Sequence, residues 1–278
     1  MKHQEGFFKG VREANIFYQY WLPDSEPKAV LLVVHGLAEH SGRYTNVVNH
    51  FVPREIAVYG LDHLGHGKSE GTRVYVERFD DYIETLKTFF DLVQKWQPGK
   101  PVFLYGHSLG GLIGVVYLLD YQAGLAGAVI SAPLIKLAGN ISAGTVFMGK
   151  ILSQLLPKFG IVGIDAEGVS KDPAVVQAYI HDPLVYRGKT TARLGAELLK
   201  AMQRAATQAG KIVLPMIILQ GSEDKLVDPG SGQLLYDSIS SADKNLKVYD
   251  GYYHEVHNEP GRDQVFQDLE SWLEAHLK

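Results

Sequence analysis

The sequence has no cysteine among its 278 residues. This absence excludes disulfide bonds, thiolate metal sites and a cysteine nucleophile together. Long hydrophobic runs are also missing, since no stretch reaches the roughly 18 uninterrupted apolar residues of a membrane-spanning helix. The first ten residues, MKHQEGFFKG, lack the apolar segment of a signal peptide. We therefore expect a cytoplasmic protein without a signal peptide or transmembrane helix.

An excess of positive charge is missing as well. The 27 Lys and Arg residues are outnumbered by 31 Asp and Glu residues, which gives a net charge of -4. No long basic run is present, so we expect no nucleic-acid partner. Hydrophobic residues make up 46% and charged residues 21%, as is usual for a soluble globular protein. The length suits one large domain with a full core, or one domain with an insertion.

Strand-like and helix-like patterns alternate along two blocks of the chain. Apolar strand-like runs occupy 29–36, 56–67, 101–106, 127–133, 215–224 and 245–255. Helical spacing of apolar residues occupies 44–55 (with a break at Pro53), 79–99, the residues after Ser108, and 262–278. This alternation predicts an α/β fold with a mostly parallel sheet flanked by helices.

The alternation stops near Leu134 and resumes near residue 210. Residues 136–209 carry no convincing strand pattern, and only Lys150 and Lys158 are charged between positions 137 and 164. We therefore predict a parallel-sheet core formed by 1–135 and 210–278, interrupted by a mostly helical cap over 136–209.

Ser108 lies in the sequence Gly106-His107-Ser108-Leu109-Gly110, which matches the G-x-S-x-G pattern. The pattern alone is weak, but here it falls between a predicted strand and a predicted helix, as a nucleophile elbow requires. The sharp turn would hold the serine hydroxyl above the sheet and aim the helix N-terminus at the same point. The alternative is a glycine-rich turn with an incidental serine. We predict Ser108 as the nucleophile.

A serine nucleophile needs a base, and the base needs an orienting acid. In this fold the acid and then the histidine follow the serine along the chain. The loop after the strand at 215–220 offers Asp224 and Asp228, with Glu223 as a weaker candidate. Asp228 precedes a proline and resembles the N-cap of a helix over 230–240, which favours Asp224 as the acid.

The last strand leads into the sequence GYYHEVH, which offers His254 and His257 as bases. Their spacing of three differs from the spacing of four in a zinc-binding H-E-x-x-H motif, so we predict no metal there. Asp62, His63 and His66 also cluster in sequence, but no further ligands support a metal site, and a loop packed beside the active site is favoured.

Oxyanion stabilisation needs two further hydrogen-bond donors. The backbone N–H of Leu109, the residue after the nucleophile, is one expected donor. The loop after the first buried strand should supply the other, and His35-Gly36 places the N–H of Leu37 at that point.

Several segments together resemble the monoacylglycerol lipases of the α/β-hydrolase superfamily, and the bacterial members in particular. The resemblance spans nearly the whole chain, in matching order and approximate spacing. The segments are HGLAEHSGRY (35–44), LDHLGHGKSEG (61–71), GHSLGG (106–111), SKDPAVVQAYIHDPLVYRGK (170–189), QGSEDKLVD (220–228) and YHEVHNEP (253–260).

This resemblance implies a triad of Ser108, Asp224 and His254 that hydrolyses monoacylglycerol to fatty acid and glycerol without metal or organic cofactor. The oxyanion donors would be the N–H groups of Leu37 and Leu109. The residues at positions that bind the glycerol end in the family are Glu39, Arg43, His107, Tyr179 and His257. An internal ion pair between Glu39 and Arg43 is an equal alternative to substrate binding.

Two other functions share part of this pattern. A lysophospholipase or general carboxylesterase would use the same catalytic residues with a different alcohol pocket. A non-catalytic binding protein would usually lack a triad member, and none is missing here. Residues 137–164 are the candidate wall of an acyl tunnel and a candidate contact with membranes or lipid aggregates, the alternative being packing on the core.

Overall fold

The computed structural model describes residues 1–137, 139 and 143–277. Its main sheet has eight strands in the order β1-β2-β4-β3-β5-β6-β9-β10, and a separate pair, β7 and β8, lies in the predicted cap. The strands are β1 (Lys2–Lys9), β2 (Asn15–Leu22), β3 (Ala29–Val34), β4 (Ile56–Leu61), β5 (Val102–His107), β6 (Gly127–Ser131), β7 (Gly160–Val162), β8 (Thr190–Thr191), β9 (Met216–Gly221) and β10 (Lys244–Tyr249).

Helices cover both faces of the main sheet. The helices of the described residues are α1 (Thr45–Phe51), α2 (Asp80–Trp96), α3 (Leu109–Tyr121), α4 (Ala143–Leu155), α5 (Pro173–His181), α6 (Ala192–Gln208), α7 (Ser231–Ser238) and α8 (Arg262–Ala275). One apolar core joins the sheet to α2, α3, α6 and α7, and the other joins it to α1 and α8. Among the helices of the described residues, none has the length and apolar character needed to span a bilayer.

The strands from β3 to β6, β9 and β10 run parallel. In β3, β4 and β5 every residue is buried, because helices cover both faces of the sheet. Parallel pairing brings the carboxyl ends of the strands to one edge, where Val34 lies opposite Gly106 and Gly221 opposite Tyr249. The prediction of a mostly parallel α/β-hydrolase sheet is confirmed, and its carboxyl edge is where loops can form a site.

Three features of the fold differ from the sequence prediction. An N-terminal hairpin, β1 and β2, adds two antiparallel strands at one edge of the sheet. The cap, expected to lack strands, contains the short antiparallel pair β7–β8. With three and two residues, this pair is too short to produce a visible periodicity. The helix predicted over 44–55 ends at Phe51 and continues as a 3₁₀ turn over Val52–Arg54.

The long cap helix α6 is bound to the core. Its apolar stripe, which includes Leu194, Leu198 and Met202, lies in the same core cluster as α2 and α3. The Thr191 hydroxyl at its N-terminus donates a hydrogen bond to the carbonyl of Val74 at 2.7 Å. Helix α4 packs against α6. The predicted insertion therefore has one helix fixed to the core and a second layer above it.

Candidate active site

Ser108 lies in the sharp turn between β5 and α3. Its φ of +54° is a strained value for a residue with a side chain, and its N–H donates to the carbonyl of Ser131 at 2.9 Å. The flanking glycines are required by close contacts. A Cβ on Gly106 would lie 2.5 Å from the carbonyl oxygen of Gly110, and one on Gly110 would overlap the carbonyl oxygen of Val34. The turn around Ser108 therefore has the geometry of a nucleophile elbow, which an incidental serine in a glycine-rich turn would not require.

Asp224 and His254 follow β9 and β10 and meet at the carboxyl edge of the sheet. His254 Nδ1 lies 2.8 Å from Asp224 Oδ2, and both side chains are buried. The second oxygen of Asp224 accepts the N–H groups of Leu226 and Val227 at 2.9 and 3.0 Å. These bonds fix the carboxylate, which in turn fixes the orientation of the imidazole.

The pKa values of Asp224 and His254 are shifted in opposite directions by their contact. Burial alone would raise the pKa of Asp224, but His254 and the two backbone donors outweigh it and lower the pKa. Burial alone would lower the pKa of His254, but the Asp224 carboxylate outweighs it and raises the pKa. Asp224 is therefore ionised at neutral pH and receives the Nδ1–H of His254, which leaves Nε2 able to accept a proton.

The alternative acids lie elsewhere. Asp228 forms an ion pair with Lys136 at 3.0 Å, and Glu223 is exposed and pairs with Lys171 at 3.0 Å. Asp228 is not the N-cap that the sequence predicted. It accepts the N–H of Gly230 at 2.8 Å, and Gly230 itself occupies the N-cap position of α7. The structure brings Asp224 to His254 and leaves the other two carboxylates away from it.

The two predicted oxyanion donors flank the serine. Gly36 follows β3, and a Cβ on it would lie 3.4 Å from the Cβ of Ser108. Leu37, the next residue, lines the same cavity as Ser108. Leu109 is the first residue of α3, and an N–H in the first turn of a helix has no acceptor within that helix. The Gly36 N–H donates to Glu39 Oε1 at 2.6 Å, which holds this loop in place.

A buried ionic network lies behind this loop. Arg43 contacts Glu39 at 2.6 Å and binds both oxygens of Glu255 at 2.6 and 2.9 Å. Burial raises the pKa of Glu39, whereas Arg43 lowers the pKa of Glu255 despite its burial. Sequence reasoning missed Glu255, although an acid directly after His254 was a usable signal.

The five residues predicted to bind glycerol divide into two layers. Glu39, His107 and Tyr179 line the cavity beside Ser108. Arg43 contacts two of these lining residues: it pairs with Glu39, and its guanidinium lies 4.7 Å from the ring centre of Tyr179. His257 lies 5.0 Å from His107, ring to ring, and burial lowers its pKa to about 4. The internal ion pair between Glu39 and Arg43 is present.

A cavity of about 1010 Å³ connects this polar end to the cap. Its polar end holds Ser108, His254 and Glu39. The rest of its wall is mostly apolar, and much of it is supplied by α4, β7 and α6, including Ile151, Leu152, Ile161, Leu199 and Met202. An apolar cavity with a few converging polar groups at one end suits a ligand with a long apolar chain and a small polar head.

The cluster of Asp62, His63 and His66 has a structural explanation. The Asp62 carboxylate accepts the N–H groups of Ser41 and Lys68, both at 2.8 Å, and thereby ties two loops together. Burial lowers the pKa of His63 to about 3 and that of His66 to about 4. Across the described part of the chain, no three His, Asp or Glu side chains are arranged to hold a metal ion.

The fold and this arrangement of serine, histidine and carboxylate define an α/β-hydrolase. A family model described as serine aminopeptidase, S33, matches residues 25–261. A monoacylglycerol lipase of Mycolicibacterium smegmatis is 37% identical and covers 98% of this chain and 98% of its own. The monoglyceride lipase of Homo sapiens is 37% identical over 93% of this chain and 86% of its own.

Solved structures show the same likeness. The monoacylglycerol lipase of Paleococcus ferrophilus superimposes with a TM-score of 0.82 at 27% identity, over 99% of this chain and 100% of its own. The chain belongs to the S33 serine hydrolase family and, within it, to the monoacylglycerol lipases. The resemblance expected from the sequence is confirmed.

Proposed function

We propose that this protein hydrolyses monoacylglycerol to a free fatty acid and glycerol through an acyl-enzyme on Ser108. The observation that carries this proposal is the His254–Asp224 contact of 2.8 Å beside a strained serine, at the polar end of a long apolar cavity. The apolar part would hold the acyl chain, whose burial is worth about 0.8 kcal/mol per CH₂.

The reaction follows from the positions of these groups. Nε2 of His254 takes the proton of Ser108 as its oxygen attacks the ester carbonyl, and Asp224 stabilises the resulting imidazolium. The N–H groups of Leu37 and Leu109 donate to the oxyanion of the tetrahedral intermediate. His254 then protonates glycerol as it leaves, and activates the water that hydrolyses the acyl-enzyme.

The glycerol end would lie between Glu39, His107 and Tyr179. These side chains offer carboxylate, imidazole and phenol groups that hydrogen-bond to hydroxyls. Arg43 and His257 would act through them, since each contacts lining residues. Glu39 is buried and accepts hydrogen bonds from the Gly36 N–H and the Tyr44 hydroxyl, which hold its carboxylate at the polar end of the cavity. A rigid polar end discriminates between alcohols that can and cannot satisfy its hydrogen bonds.

The test is the initial rate of glycerol release from a C8 to C18 series of monoacylglycerols. Di- and triacylglycerols, a lysophospholipid and a simple short-chain ester are compared under the same conditions, with Ser108→Ala as the inactive control. Rates on monoacylglycerols far above those on the other substrates, and lost in Ser108→Ala, support the proposal. Equal rates on lysophospholipid or simple esters would instead identify a lysophospholipase or a general carboxylesterase with the same triad.

We further propose that the cap contacts lipid surfaces. Large apolar side chains on and after α4 are exposed, with Met148 at 62%, Leu155 at 73%, Phe159 at 55% and Val162 at 59%. Met148, Leu155 and Val162 also line the cap side of the cavity, so a lipid surface there would deliver substrate directly to it. A contiguous exposed apolar patch of this kind is typical of a lipid or protein contact.

Vesicle sedimentation tests this contact. We expect phosphatidylcholine vesicles with bound monoacylglycerol to retain the protein, and Leu155→Ser to reduce the retained fraction. Val248→Ser is the matched control, because Val248 is 57% exposed on the edge strand β10, outside the cap. Equal retention of the two variants, or no retention of the unmodified protein, would remove the proposal.

A further inference from the structure

Helix α6 presents small residues to the cavity. Its cavity-facing positions at the N-terminal end are Ala192, Gly195 and Ala196, followed one and two turns later by Leu199 and Gln203. Glycine inside a helix destabilises it relative to alanine, because it loses more backbone freedom on folding. Gly195 does not have a positive φ that would require glycine. Its occurrence at this position therefore calls for a steric explanation.

The explanation is a close approach by β7. A Cβ placed on Gly195 would lie 2.7 Å from Cδ1 of Ile161, the terminal carbon of that side chain. Such a separation is too short for two carbon atoms, so one of the two residues would have to move. Both residues line the cavity. The contact between the bare Cα of Gly195 and Ile161 thus lies in the wall that surrounds the proposed acyl chain.

Of Gly195 and Ile161, the residue held more firmly is Gly195, because helix α6 is bound to the core. Thr191 at its N-terminus donates to the carbonyl of Val74 at 2.7 Å, and Glu197 accepts the N–H of Phe79 at 3.0 Å. The opposite face of α6 packs into the main core. Ile161, in contrast, belongs to a three-residue strand and is 39% exposed. A methyl group at position 195 would therefore displace Ile161 and leave α6 where it is.

We propose that Gly195 determines the width of the acyl tunnel and thereby the lengths of acyl chain that the enzyme accepts. The bare Cα leaves room for Cδ1 of Ile161 to lie against α6 in the cavity wall. A side chain at position 195 pushes Ile161 off the helix and narrows the tunnel at this point. Chains long enough to pass the constriction are then excluded, whereas shorter chains still fit. This inference rests on the proposed use of the cavity as an acyl-binding tunnel.

The experiment compares kcat/KM for p-nitrophenyl esters from C4 to C16 in the unmodified protein and in Gly195→Ala. We expect Gly195→Ala to lower the ratio of the C16 to the C4 value by about 10-fold or more, the effect of one misplaced methylene in an apolar pocket. Gly210→Ala is the matched control, since Gly210 follows α6 outside the cavity and its new Cβ would meet nothing closer than 3.7 Å. We expect it to leave the ratio unchanged.

A second variant tests whether the effect passes through Ile161. Ile161→Val removes Cδ1, the atom that the new methyl group would meet, so Gly195→Ala with Ile161→Val should recover the C16 to C4 ratio. An unchanged ratio in Gly195→Ala, an equal fall at all chain lengths, or no recovery in the double variant would overturn the proposal. The p-nitrophenyl esters carry no glycerol, so these results stand apart from the monoacylglycerol assay that tests the proposed function.

Discussion

The two ends of the cavity are built in opposite ways. At the core end, buried charged and polar groups are held by several hydrogen bonds each, as in the Asp224–His254 pair and around Arg43. At the cap end, the wall is apolar and part of it is exposed to solvent, including Met148 and Leu155. The core end can fix the geometry of a reaction, whereas the cap end can supply only shape and apolar area.

The two long helices of the predicted cap, α4 and α6, differ in a similar way. Helix α6 has one face in the core and is fastened by Thr191 and Glu197, whereas α4 presents large apolar side chains to solvent. Both helices line the cavity, and among their described side chains those of α6 also belong to the folding core. Substitutions at the core end should therefore affect chemistry or stability strongly, and those in α6 should affect stability moderately.

The largest effect is expected from Asp224→Asn. An amide cannot hold His254 in the tautomer that accepts the serine proton, and the equivalent change in a Ser-His-Asp triad lowers kcat by about 10⁴. Asp228→Asn is the matched control, four residues further on and paired with Lys136 outside the site. Steady-state rates on a soluble short-chain ester measure both. Similar losses in the two variants would contradict the assignment of Asp224 as the acid.

Arg43→Met should have the next largest effect, on stability. It leaves two buried carboxylates, Glu39 and Glu255, without their common cation, and breaking a buried ion pair in this way costs about 3–5 kcal/mol. Arg54→Met is the control, because Arg54 pairs with Glu270 at the surface, where a pair contributes about 0–1 kcal/mol. Urea unfolding at neutral pH measures both. Equal midpoints would show that the Arg43 network does not stabilise the fold.

A smaller loss of stability is expected from Glu197→Ala, which tests the fastening of α6. The variant leaves the N–H of Phe79 without its acceptor, and a buried unsatisfied group of this kind costs about 1–3 kcal/mol. Glu197→Gln keeps an acceptor oxygen at the same place and should recover most of the loss. Thermal unfolding of the two variants measures the difference. If both unfold together, the hydrogen bond to Phe79 does not fasten the helix.

The sequence predicted the parts of the molecule that depend on local pattern. The apolar runs of β3, β5 and β9 follow from burial, and the glycines around Ser108 follow from close backbone contacts. The hairpin β1–β2 was missed because β1 is mostly exposed and polar, although the alternation in IFYQYWL (16–22) was a usable signal for β2.

Features that depend on distant pairing could not be predicted in the same way. Glu255 binds Arg43 across 212 positions of the chain, and Glu197 of the cap meets Phe79 at the start of α2. No spacing rule connects such partners. The same holds for the close approach of Ile161 to Gly195, which needs both the cap strand β7 and helix α6 in place.

The smallest expected effect concerns the pH at which kcat/KM falls on the acid side. This pH depends on the pKa of His254. Asp224 raises the pKa of His254 above the ordinary value of 6.5, against the opposing effect of burial. His254 must be neutral to accept the serine proton, so kcat/KM should fall as the pH is lowered through this raised pKa, with a midpoint above 6.5. In Asp224→Asn the largest influence that opposes burial is lost and only Glu255 and Glu39 still raise the pKa of His254, so the limb of the residual activity should move to lower pH. A midpoint at or below 6.5 in the unmodified protein would mean that burial outweighs the carboxylate at His254, and the contrast between the two ends of the cavity would lose its electrostatic basis.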